Sequence, residues 1–343
     1  MDSAKRLKEA LIALKNGELL ILMDDEDREN EGDLVLAGIF STPEKINFMA
    51  KYARGLICVA LTQKIAHQFD LKPMVSHNDS KHETAFTISI DAKVAKTGIS
   101  AYERSLTIEL LCKEESRAED FVRPGHIFPL IAKEEGVLVR TGHTEASVDL
   151  CKLAGLKPIS VICEIMKEDG SMARRGDKFL LDFAKTHNLK TLYVSDIVSH
   201  RLQSENLLSL LSENSAHFAG LECKESIFLD HLQRKHFVYC FGSPHSTPFV
   251  RFHIIREDHK LLSHPKDYPF LMRVLSKLQA EGGFLICIDP QAKTHDTLKN
   301  FGIGALILKS LGIKTFCLLT TQDKPEYAAL KGFDLHMTEA ICP

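Results

Sequence analysis

Seven carboxylates crowd into one ten-residue stretch, residues 24–33 (DDEDRENEGD), in which Arg28 is the single cation. The stretch directly follows GELLILM, a short apolar run with the pattern of a buried β-strand. Carboxylates held together at the end of a strand repel one another unless a cation or a metal ion lies among them. The stretch is either a solvated acidic loop or a cation site, and its position at a strand end favours the site.

A second polar cluster lies in RTGHTEASVDL, residues 140–150. The apolar run before it predicts a strand at residues 136–140, and Gly142 predicts a tight turn into a helix with Thr144 as its N-cap. The N-terminus of such a helix presents free backbone N–H groups and a positive dipole end, which together bind phosphate. The segment is therefore a candidate phosphate site, although an ordinary strand–helix turn has the same pattern.

Side chains of this turn add to that chemistry. Arg140 contributes a positive charge, and the hydroxyl groups of Thr141 and Thr144 can donate hydrogen bonds to a phosphate. His143 is a candidate metal ligand, because imidazole nitrogens bind divalent transition metals. Phosphate binding and metal binding both stay open for this turn.

His126 lies in RPGHIFPL, residues 123–130, between two prolines. We predict that this segment is irregular and that its prolines and apolar neighbours hold the imidazole half-buried and in a fixed position. Such a histidine is either a structural residue with satisfied hydrogen bonds or a proton-transfer group.

Glu164 lies within PISVICEIM, residues 158–166, which has the composition of a buried strand. A carboxylate in the middle of a buried strand has a raised pKa unless it is paired, and this suits a general acid or base. Alternatively, the strand ends at Glu164 and the side chain opens the following loop.

Other patterns predict the frame around these candidates. Asp2 and Ser3 can cap a helix that ends at Gly17, and Thr42 with Pro43 can open a second helix. Buried strands are predicted at residues 18–23, 55–61 and 84–90, and polar loops at residues 76–83 and 94–107.

Length and charge limit the classes of function. A chain of 343 residues is long enough for two domains. Its 43 Lys and Arg against 46 Asp and Glu leave a formal net charge of −3, which gives no reason to expect nucleic acid or an anionic membrane as a partner. No apolar run reaches the roughly 18–20 residues that a membrane span needs.

The cysteines and the N-terminus indicate the compartment. Nine cysteines at irregular spacing, without a CxxC pair, are typical of reduced thiols. The charged N-terminus, MDSAKRLKEALIALKNGE, has no secretory apolar region. We therefore expect a cytoplasmic protein.

From about residue 237 the chain becomes rich in strands, with FVYCF, PFVRFHII and GGFLICID in succession. GIGALILKSLGIKTFCLLTT then predicts a helix that ends at Gly312, followed by a strand. This order predicts a second domain of βαβ type. Its five cysteines lack the spacing of zinc ligands, and most of them lie in apolar runs.

The motifs of the first two hundred residues resemble those of 3,4-dihydroxy-2-butanone 4-phosphate synthase. DDEDRENEGD, RPGHIFPL, RTGHTEASVDL and the strand with Glu164 occur in the family's order and spacing, over residues 4 to about 203. The resemblance implies a mixed α/β fold with three α/β/α layers and a mixed sheet, a homodimer, and two Mg²⁺ or Mn²⁺ ions in each active site. The implied reaction converts D-ribulose 5-phosphate to L-3,4-dihydroxy-2-butanone 4-phosphate and formate.

The resemblance also implies roles for individual residues. His126 and Glu164 would transfer protons, and Glu29 and His143 would bind the metal ions. The residues implied in contacts with the substrate and its phosphate are Arg28, Glu29, Asp33, Arg140, Thr141, Gly142, His143, Thr144 and Glu164.

These residue types suit the implied chemistry. Removing a proton from C3 of a ketose needs a group that polarises the carbonyl, and a divalent metal supplies this. Loss of the C1 hydroxyl, a shift of the carbon skeleton and expulsion of C4 as formate need acid and base groups that exchange protons. A phosphate anchored at a helix N-terminus fixes the position of the substrate.

Two loops depart from the family pattern. Glu103 stands where family members usually carry Asp, and residues 81–83 (KHE) replace a run of small residues with a tyrosine. Both loops lie near the substrate in the family, so these changes bear on loop geometry and rate.

Residues 204–343 resemble GTP cyclohydrolase II, most clearly in GIGALILKSLGIKTFCLLTT and KPEYAALKGFDL. The cysteine triad that binds zinc in that family is missing, as are its arginine-rich motifs. We therefore expect a smaller α/β domain without catalytic activity and without zinc, following a synthase domain of residues 1–203.

Two other functions stay open at this stage. The chain could be bifunctional, with zinc ligands that the motif does not reveal. Alternatively, both domains could be inactive and form a binding or regulatory module, although the complete set of matched site residues argues against this.

Overall fold

The computed structural model describes residues 2–26, 28–290, 297–321 and 335–343. The chain divides into two compact units, Met1–His200 and Arg201–Pro343. Each unit is built on a seven-stranded sheet of mixed direction.

The sheet of the first unit has the strand order β4-β5-β3-β6-β2-β1-β7. β1 runs antiparallel to β2 and parallel to β7, β2 and β3 both run antiparallel to β6, and β3 runs parallel to β5. The strands are β1 (Leu20–Met23), β2 (Gly32–Ala37), β3 (Cys58–Thr62), β4 (Ile90–Ala92), β5 (Phe121–Ala132), β6 (Ile159–Glu164) and β7 (Lys190–Tyr193).

Helices connect these strands and cover both faces of the sheet. They are α1 (Ser3–Lys15), α2 (Pro43–Phe48), α3 (Gln63–Gln68), α4 (Ala101–Cys112), α5 (His143–Leu153), α6 (Lys178–Thr186) and α7 (Val194–Ser204), the last of which crosses into the second unit. The predicted limits of the first helix are confirmed, because α1 ends at Lys15 and Gly17 follows in the left-handed conformation, with φ +74°.

Alternate residues of the strands face two different layers. Leu34, Val59 and Val161 lie in one apolar cluster with residues of α2, α3, α4 and α6. On the other face, Ala60 packs against Val148 of α5, which shares this layer with α1. The predicted three-layer α/β/α fold is thus confirmed.

Two strand predictions near the site were wrong. Residues 136–140 form a 3₁₀ turn at Gly136–Leu138, not a strand, because the buried carboxylate of Asp149 on α5 accepts a hydrogen bond from the Val137 N–H at 2.9 Å. RPGHIFPL is not irregular but part of the twelve-residue strand β5. Its Pro129 stays in the ladder through its carbonyl, which accepts from the Thr87 N–H at 2.9 Å.

The strands and loops around the site differ from the prediction at three further points. The strand predicted at residues 84–90 is reduced to isolated bridges before β4. The polar loop predicted at residues 94–107 ends where Ser100 caps α4. β2 was not predicted, because the acidic residues before it concealed the apolar run LVLA.

The second unit confirms the predicted βαβ pattern, since β11 and β12 are parallel and the longest helix of the described part, α9, lies between them in sequence. A hairpin of β8 and β9, which was not predicted, forms one side of the sheet. The sheet order is β14-β13-β11-β12-β10-β9-β8. The elements are β8 (Leu208–Phe218), β9 (Leu221–Asp230), β10 (Lys235–Phe241), β11 (Phe249–Ile254), α8 (Asp258–Ser263), α9 (Asp267–Glu281), β12 (Gly283–Ile288), α10 (Thr297–Ser310), β13 (Thr315–Leu319) and β14 (His336–Ile341).

None of the helices described in either unit has both the length and the apolar character that a membrane span requires.

Candidate functional site

Three strand ends of the first sheet meet at one edge and bring the acidic residues together. Asp24 follows the end of β1, Asp33 lies at the start of β2, and Glu164 ends β6. Asp33 and Glu164 are direct partners across the antiparallel pair of β2 and β6, so their side chains leave the same face of the sheet. Two carboxylates therefore stand side by side on the face that α5 covers.

Asp24 organises the acidic loop between β1 and β2. Its fully buried carboxylate accepts hydrogen bonds from the backbone N–H of Glu29 at 3.1 Å and of Glu31 at 2.8 Å. It also accepts from Nη1 of Arg28 at 2.8 Å, and the same nitrogen donates to Oε2 of Glu29 at 2.6 Å. The acidic stretch is thus a folded loop with an internal cation, not a solvated loop.

His143, the first residue of α5, lies between two of these carboxylates. Its Nδ1 is 3.6 Å from Oε2 of Glu29, and its Nε2 is 3.8 Å from Oδ1 of Asp33. Both distances are too long for hydrogen bonds. Within the described residues, Nε2 of His143 and Oδ1 of Asp33 are buried and have no hydrogen-bond partner.

This cluster has the composition of a metal site. Ligand atoms of Asp24, Glu29 and His143 all lie within 4.8 Å of one another, the only such group in the described part of the chain. The hydrogen bonds of Asp24 already occupy both of its oxygens, whereas Glu29 retains lone pairs and His143 supplies one when its ring releases a proton. The buried polar atoms without partners in this cluster fit a divalent cation, which would accept those lone pairs.

The ionisation of the cluster reflects its crowding. Burial raises the pKa of Asp33, and the neighbouring carboxylates of Glu164 and Glu29 bring it to about 8. Burial lowers the pKa of His143, but Asp33 and Glu29 outweigh burial and raise it to about 9. Burial would raise the pKa of Glu29, as it does for Asp33, but His143 and Arg28 outweigh burial and lower it to about 2. The site therefore attracts positive charge.

Two guanidinium groups flank the turn that leads into α5. A Cβ atom at Gly142 would lie 2.3 Å from Nη1 of Arg140 and 3.0 Å from Nη2 of Arg28, so a larger residue would push these guanidinium groups away from the turn. Arg140 is held by Oε2 of Glu145 at 2.5 Å and by the Thr84 hydroxyl at 3.0 Å. The turn thus combines two fixed positive charges with the N-terminus of an eleven-residue helix.

The N-cap prediction for this helix was wrong. Gly142 is the N-cap residue, and Thr144 is the second residue of the helix, where it is buried. The backbone N–H groups of His143, Thr144 and Glu145 precede the first helical hydrogen bond, from Ala146 N–H to the Gly142 carbonyl at 3.0 Å. The donors expected for a phosphate are present, although the cap lies two residues earlier.

Glu164 is the last residue of β6, so it lies at the strand end and not in the middle of a buried strand. Its Oε2 accepts from the backbone N–H of Leu56 at 2.8 Å, and its side chain is only partly buried. A Cβ atom at Gly55 would lie 2.4 Å from the Glu164 carbonyl oxygen, so glycine is needed for this close approach.

His126 is more exposed than predicted, with 42% of its side chain accessible. Instead of the prolines, Asp91 positions it: Oδ2 lies 2.7 Å from Nδ1 of the ring, and Oδ1 accepts from the His126 backbone N–H at 2.8 Å. Because an ionised Asp91 can only accept, the ring carries its proton on Nδ1 and leaves Nε2 available.

The registers place His126 at the same edge and face as Glu164. Phe128 pairs with Cys58, and Cys58 pairs with Ile162, so His126 and Glu164 lie at the same level of β5 and β6. β3 separates these strands, which puts their backbones about 10 Å apart. No described contact joins His126 directly to the cluster of Glu29, Asp33 and His143.

Three features of this site were missed in the sequence. Asp24 directly follows an apolar strand, and this position was a signal that its side chain is buried. Asp91 ends an alternating segment, which gave no sign of a partner thirty-five residues away. In the loop at residues 81–83, the carbonyl oxygen of His82 accepts from Nε of Arg140 at 3.0 Å, so this loop contacts, through its backbone, the arginine that precedes Gly142.

Comparison with known protein families covers both units. The model of 3,4-dihydroxy-2-butanone 4-phosphate synthase matches residues 8–200. The model of GTP cyclohydrolase II matches residues 271–342, about half of the second unit.

Individual relatives match over the whole length. A 3,4-dihydroxy-2-butanone 4-phosphate synthase of Helicobacter pylori is 62% identical over 340 residues, 98% of each chain. A crystal structure of RibBX, a two-domain synthase of the same name from A. baumannii, has a TM-score of 0.83 and 34% identity, covering 98% of this chain and all of its own. A synthase structure in complex with two magnesium ions has a TM-score of 0.54 and 39% identity, covering 58% of this chain and 97% of its own.

Proposed function

The chain belongs to the 3,4-dihydroxy-2-butanone 4-phosphate synthase family, and we propose that the edge of its first sheet is the active site of this reaction. In riboflavin biosynthesis the enzyme converts D-ribulose 5-phosphate to L-3,4-dihydroxy-2-butanone 4-phosphate and formate. The two products together contain every atom of the substrate, so the reaction needs no co-substrate. We class the activity as that of a lyase.

One observation carries the proposal: the fold buries Asp33 and His143 at the sheet edge without completing their hydrogen bonds. Buried polar groups are nearly always paired, because an unpaired group costs about 1–3 kcal/mol. A folded protein keeps unpaired buried groups of this kind where a bound ligand supplies the missing partners.

We infer that Glu29 and His143 hold two divalent cations, Mg²⁺ or Mn²⁺, with Asp24 fixing the loop that presents Glu29. Carboxylate oxygens are the donors that these cations prefer, and the lowered pKa of Glu29, about 2, keeps its carboxylate ionised. When bound, such a cation polarises the carbonyl of the substrate as a Lewis acid.

The protein's own groups then move protons. Glu164, fixed by the Leu56 N–H, and His126, with Nε2 available, are the acid and base groups of the rearrangement. Asp33 stands beside Glu164 and contributes to substrate binding next to the reacting carbons. The two proton-transfer groups stand on neighbouring parts of one sheet edge and can act on different carbons of a five-carbon sugar.

The phosphate of the substrate binds at the N-terminus of α5. The family resemblance implies Arg140, Thr141, Gly142 and Thr144 for this contact, and Arg28 for the sugar; Arg28 also lies beside Gly142. Holding the phosphate here sets which carbon reaches Glu164 and limits side reactions.

The synthase domain is assigned to residues 1–203 and a non-catalytic domain to residues 204–343. The second unit matches only part of the cyclohydrolase family, and none of its described residues form a cluster of three metal ligands. All nine cysteines are described, and none is in a disulfide. These free thiols support a cytoplasmic location.

We propose that the enzyme acts as a homodimer, with a second copy covering the apolar side chains around β4. These side chains are unusually exposed in the single chain. They are Ile88, Val94, Ile99, Tyr102 and Val122, with exposures of 39%, 76%, 54%, 72% and 43%. Light scattering should give twice the chain mass, and Tyr102→Glu should lower it; a monomeric parent protein would contradict the dimer.

The activity is tested directly with substrate labelled with carbon-13 at C4. The purified protein with Mg²⁺ should release labelled formate, detected by NMR, and EDTA should stop the release until Mg²⁺ or Mn²⁺ is restored. Formate release that persists after exhaustive metal removal would contradict the metal-assisted reaction. Absence of product with either cation would overturn the proposed function.

A further inference from the structure

Glu103, in the first turn of α4, gathers five hydrogen-bond donors from one loop onto a single carboxylate. Its Oε1 accepts two backbone N–H groups, and its Oε2 accepts one backbone N–H group and two hydroxyl groups. The donors are Lys96 N at 2.6 Å, Thr97 N at 3.3 Å, Thr97 Oγ1 at 3.0 Å, Gly98 N at 3.1 Å and Ser100 Oγ at 3.1 Å. Because hydrogen bonds to an ionised acceptor are the stronger kind, this carboxylate fixes the loop of residues 96–100.

The loop packs directly against the pair formed by Asp91 and His126. Gly98 has φ +85°, a conformation that favours glycine. A Cβ atom there would lie 1.9 Å from Oδ2 of Asp91 and 2.7 Å from Nδ1 of His126. The backbone of Gly98 therefore forms one wall of the space in which the Asp91 carboxylate meets the imidazole.

A second connection runs from the same helical turn to β4. The Thr107 hydroxyl donates to the Glu103 carbonyl oxygen at 2.9 Å and accepts from the Ala92 N–H at 2.8 Å. Ala92 follows Asp91 in the strand, so the start of α4 is tied to the backbone that carries Asp91. A displacement of the loop or of this helical turn would move Asp91, and Asp91 is hydrogen-bonded to His126.

We propose that Glu103 is a positioning residue: through the 96–100 loop and Asp91, it keeps His126 in the Nδ1–H tautomer and in one orientation. The inference rests on the proposed function, in which His126 transfers protons through Nε2. The hydrogen bonds described for Glu103 do not include His126, so its effect is transmitted by the backbone of Gly98.

The structure also explains why an acceptor-only side chain is needed. A carboxamide keeps one oxygen and turns the other acceptor into a donor, so Glu103→Gln leaves two or three of the five loop donors without a partner. Glu103→Asp keeps the charge but shortens the side chain by one methylene, so it retains part of the hydrogen bonding.

The test uses the full-length enzyme, the two Glu103 variants and Glu109→Gln as a matched control. Glu109 lies on the same helix and pairs with Lys113 in solvent, with a separation of 2.7 Å. Two quantities are measured for each protein: kcat and KM for D-ribulose 5-phosphate, and the ¹⁵N shifts of the His126 imidazole, which report its tautomer.

For Glu103→Gln we expect kcat to fall about tenfold with KM within about twofold of the parent, because a small displacement of an acid–base group slows the chemical step. The His126 spectrum should show a new Nε2–H population. Glu103→Asp should recover most of both properties, and Glu109→Gln should match the parent.

Three outcomes would overturn the inference. The first is a Glu103→Gln protein with the parent's kcat and tautomer. The second is a fall in kcat without a change in tautomer, which would mean a structural role only. The third is a Glu103→Asp protein with the parent's tautomer but a reduced kcat. This result decides the question if Glu103→Gln does not fold. If the parent protein makes no formate, the proposed function fails, while the tautomer comparison still decides the role of Glu103.

Discussion

Each unit of the protein buries an aspartate beside a histidine, and the two pairs differ in how their hydrogen bonds are completed. In the second unit, Asp230 and His236 are both buried, and Nε2 of His236 lies 3.2 Å from Oδ2 of Asp230. In the first unit, Asp33 and His143 are equally buried, but the corresponding distance is 3.8 Å. The residue types are the same, and only the surroundings distinguish them.

The pair in the second unit is fully satisfied. Oδ1 of Asp230 accepts from the N–H groups of Leu232 and Arg234, both at 2.9 Å, and Oδ2 accepts from Nε of Arg234 at 2.7 Å. Nδ1 of His236 accepts from the Asp289 N–H at 3.2 Å. These bonds close the turn between β9 and β10 onto the end of β12, so the pair stabilises the fold.

The pair in the first unit leaves Oδ1 of Asp33 and Nε2 of His143 without partners among the described residues. The neighbouring carboxylates of Glu164 and Glu29 add to the cost of ionising the buried Asp33. Completed hydrogen bonds thus mark a structural cluster, whereas incomplete ones mark the place where a ligand binds.

The largest effect is expected for Glu164→Gln. The amide can still accept from the Leu56 N–H, but it cannot take up a proton, so kcat should fall about 10³-fold with little change in stability. Formate release measured by NMR is the assay, and the exposed Glu168→Gln, four residues later, is the control that should match the parent. A Glu164→Gln enzyme within tenfold of the parent would remove Glu164 from the proton transfers.

For Asp230→Asn we expect the opposite result, a loss of stability without a loss of activity, because the pair of Asp230 and His236 stabilises the fold. Losing the charge leaves the partly buried Arg234 against a neutral, fully buried side chain, so the free energy of unfolding should fall by about 3 kcal/mol, while kcat stays unchanged. Urea denaturation and the formate assay measure the two quantities. Glu281→Gln, which removes an exposed pair with Lys277, is the control and should cost less than about 1 kcal/mol. A loss of kcat in the folded Asp230→Asn protein would contradict the comparison.

The same aspartate predicts a dependence on pH. Burial would raise the pKa of Asp230, but His236 and Arg234 outweigh burial and hold it well below its usual range. A carboxyl group with a lowered pKa in the folded state contributes stability above its unfolded pKa of about 3.9, and this contribution is lost as the pH falls towards the folded value. Unfolding free energy should therefore decrease below about pH 4, and less steeply in Asp230→Asn; equal slopes would contradict this.

A smaller effect is expected for Gly142→Ala. The φ angle of −95° suits any residue, but the new methyl group would displace Arg140 and Arg28 from the turn. The KM for D-ribulose 5-phosphate and the inhibition constant of inorganic phosphate should both rise about tenfold, the equivalent of about 1.4 kcal/mol. Gly155→Ala is the control: φ is +70° with open space around it, so stability should fall while KM stays constant. Unchanged phosphate binding in Gly142→Ala would place the phosphate elsewhere.

The smallest expected effect is none at all. Because the second unit lacks the zinc triad and its described residues form no metal-ligand cluster, the protein should neither contain stoichiometric zinc nor consume GTP. Elemental analysis and chromatography of GTP incubations, with and without added zinc, measure this. Stoichiometric zinc with turnover of GTP would show that the chain is bifunctional.

Local patterns in the sequence predicted the elements that carry the site. The strand β1 and the helix after Gly142 each depend on residues close together in sequence, so composition and spacing were sufficient. For the acidic loop, composition left a solvated loop and a cation site both open. The resemblance added residue roles that local patterns left open, such as the choice between structural and catalytic functions for His126.

Contacts between segments far apart in the chain could not be predicted from the sequence. The buried Asp149 bends residues 136–140 into a 3₁₀ turn, although their apolar composition favours a strand. Likewise, Asp33 meets Glu164 through the pairing of β2 with β6, and Asp91 meets His126 through β4 and β5. Such partners follow from the strand order of the sheet, which periodicity does not encode.

The most direct test of the comparison is Asp33→Asn, measured for both activity and stability. Burial holds the pKa of Asp33 at about 8, so a neutral isostere should leave the unfolding free energy at pH 7 unchanged or higher. Formate release should fall at least about 10²-fold, the reverse of the result expected for Asp230→Asn. An Asp33→Asn protein that loses stability but keeps its activity would show that the incomplete pair is structural, and the account of the active site would be wrong.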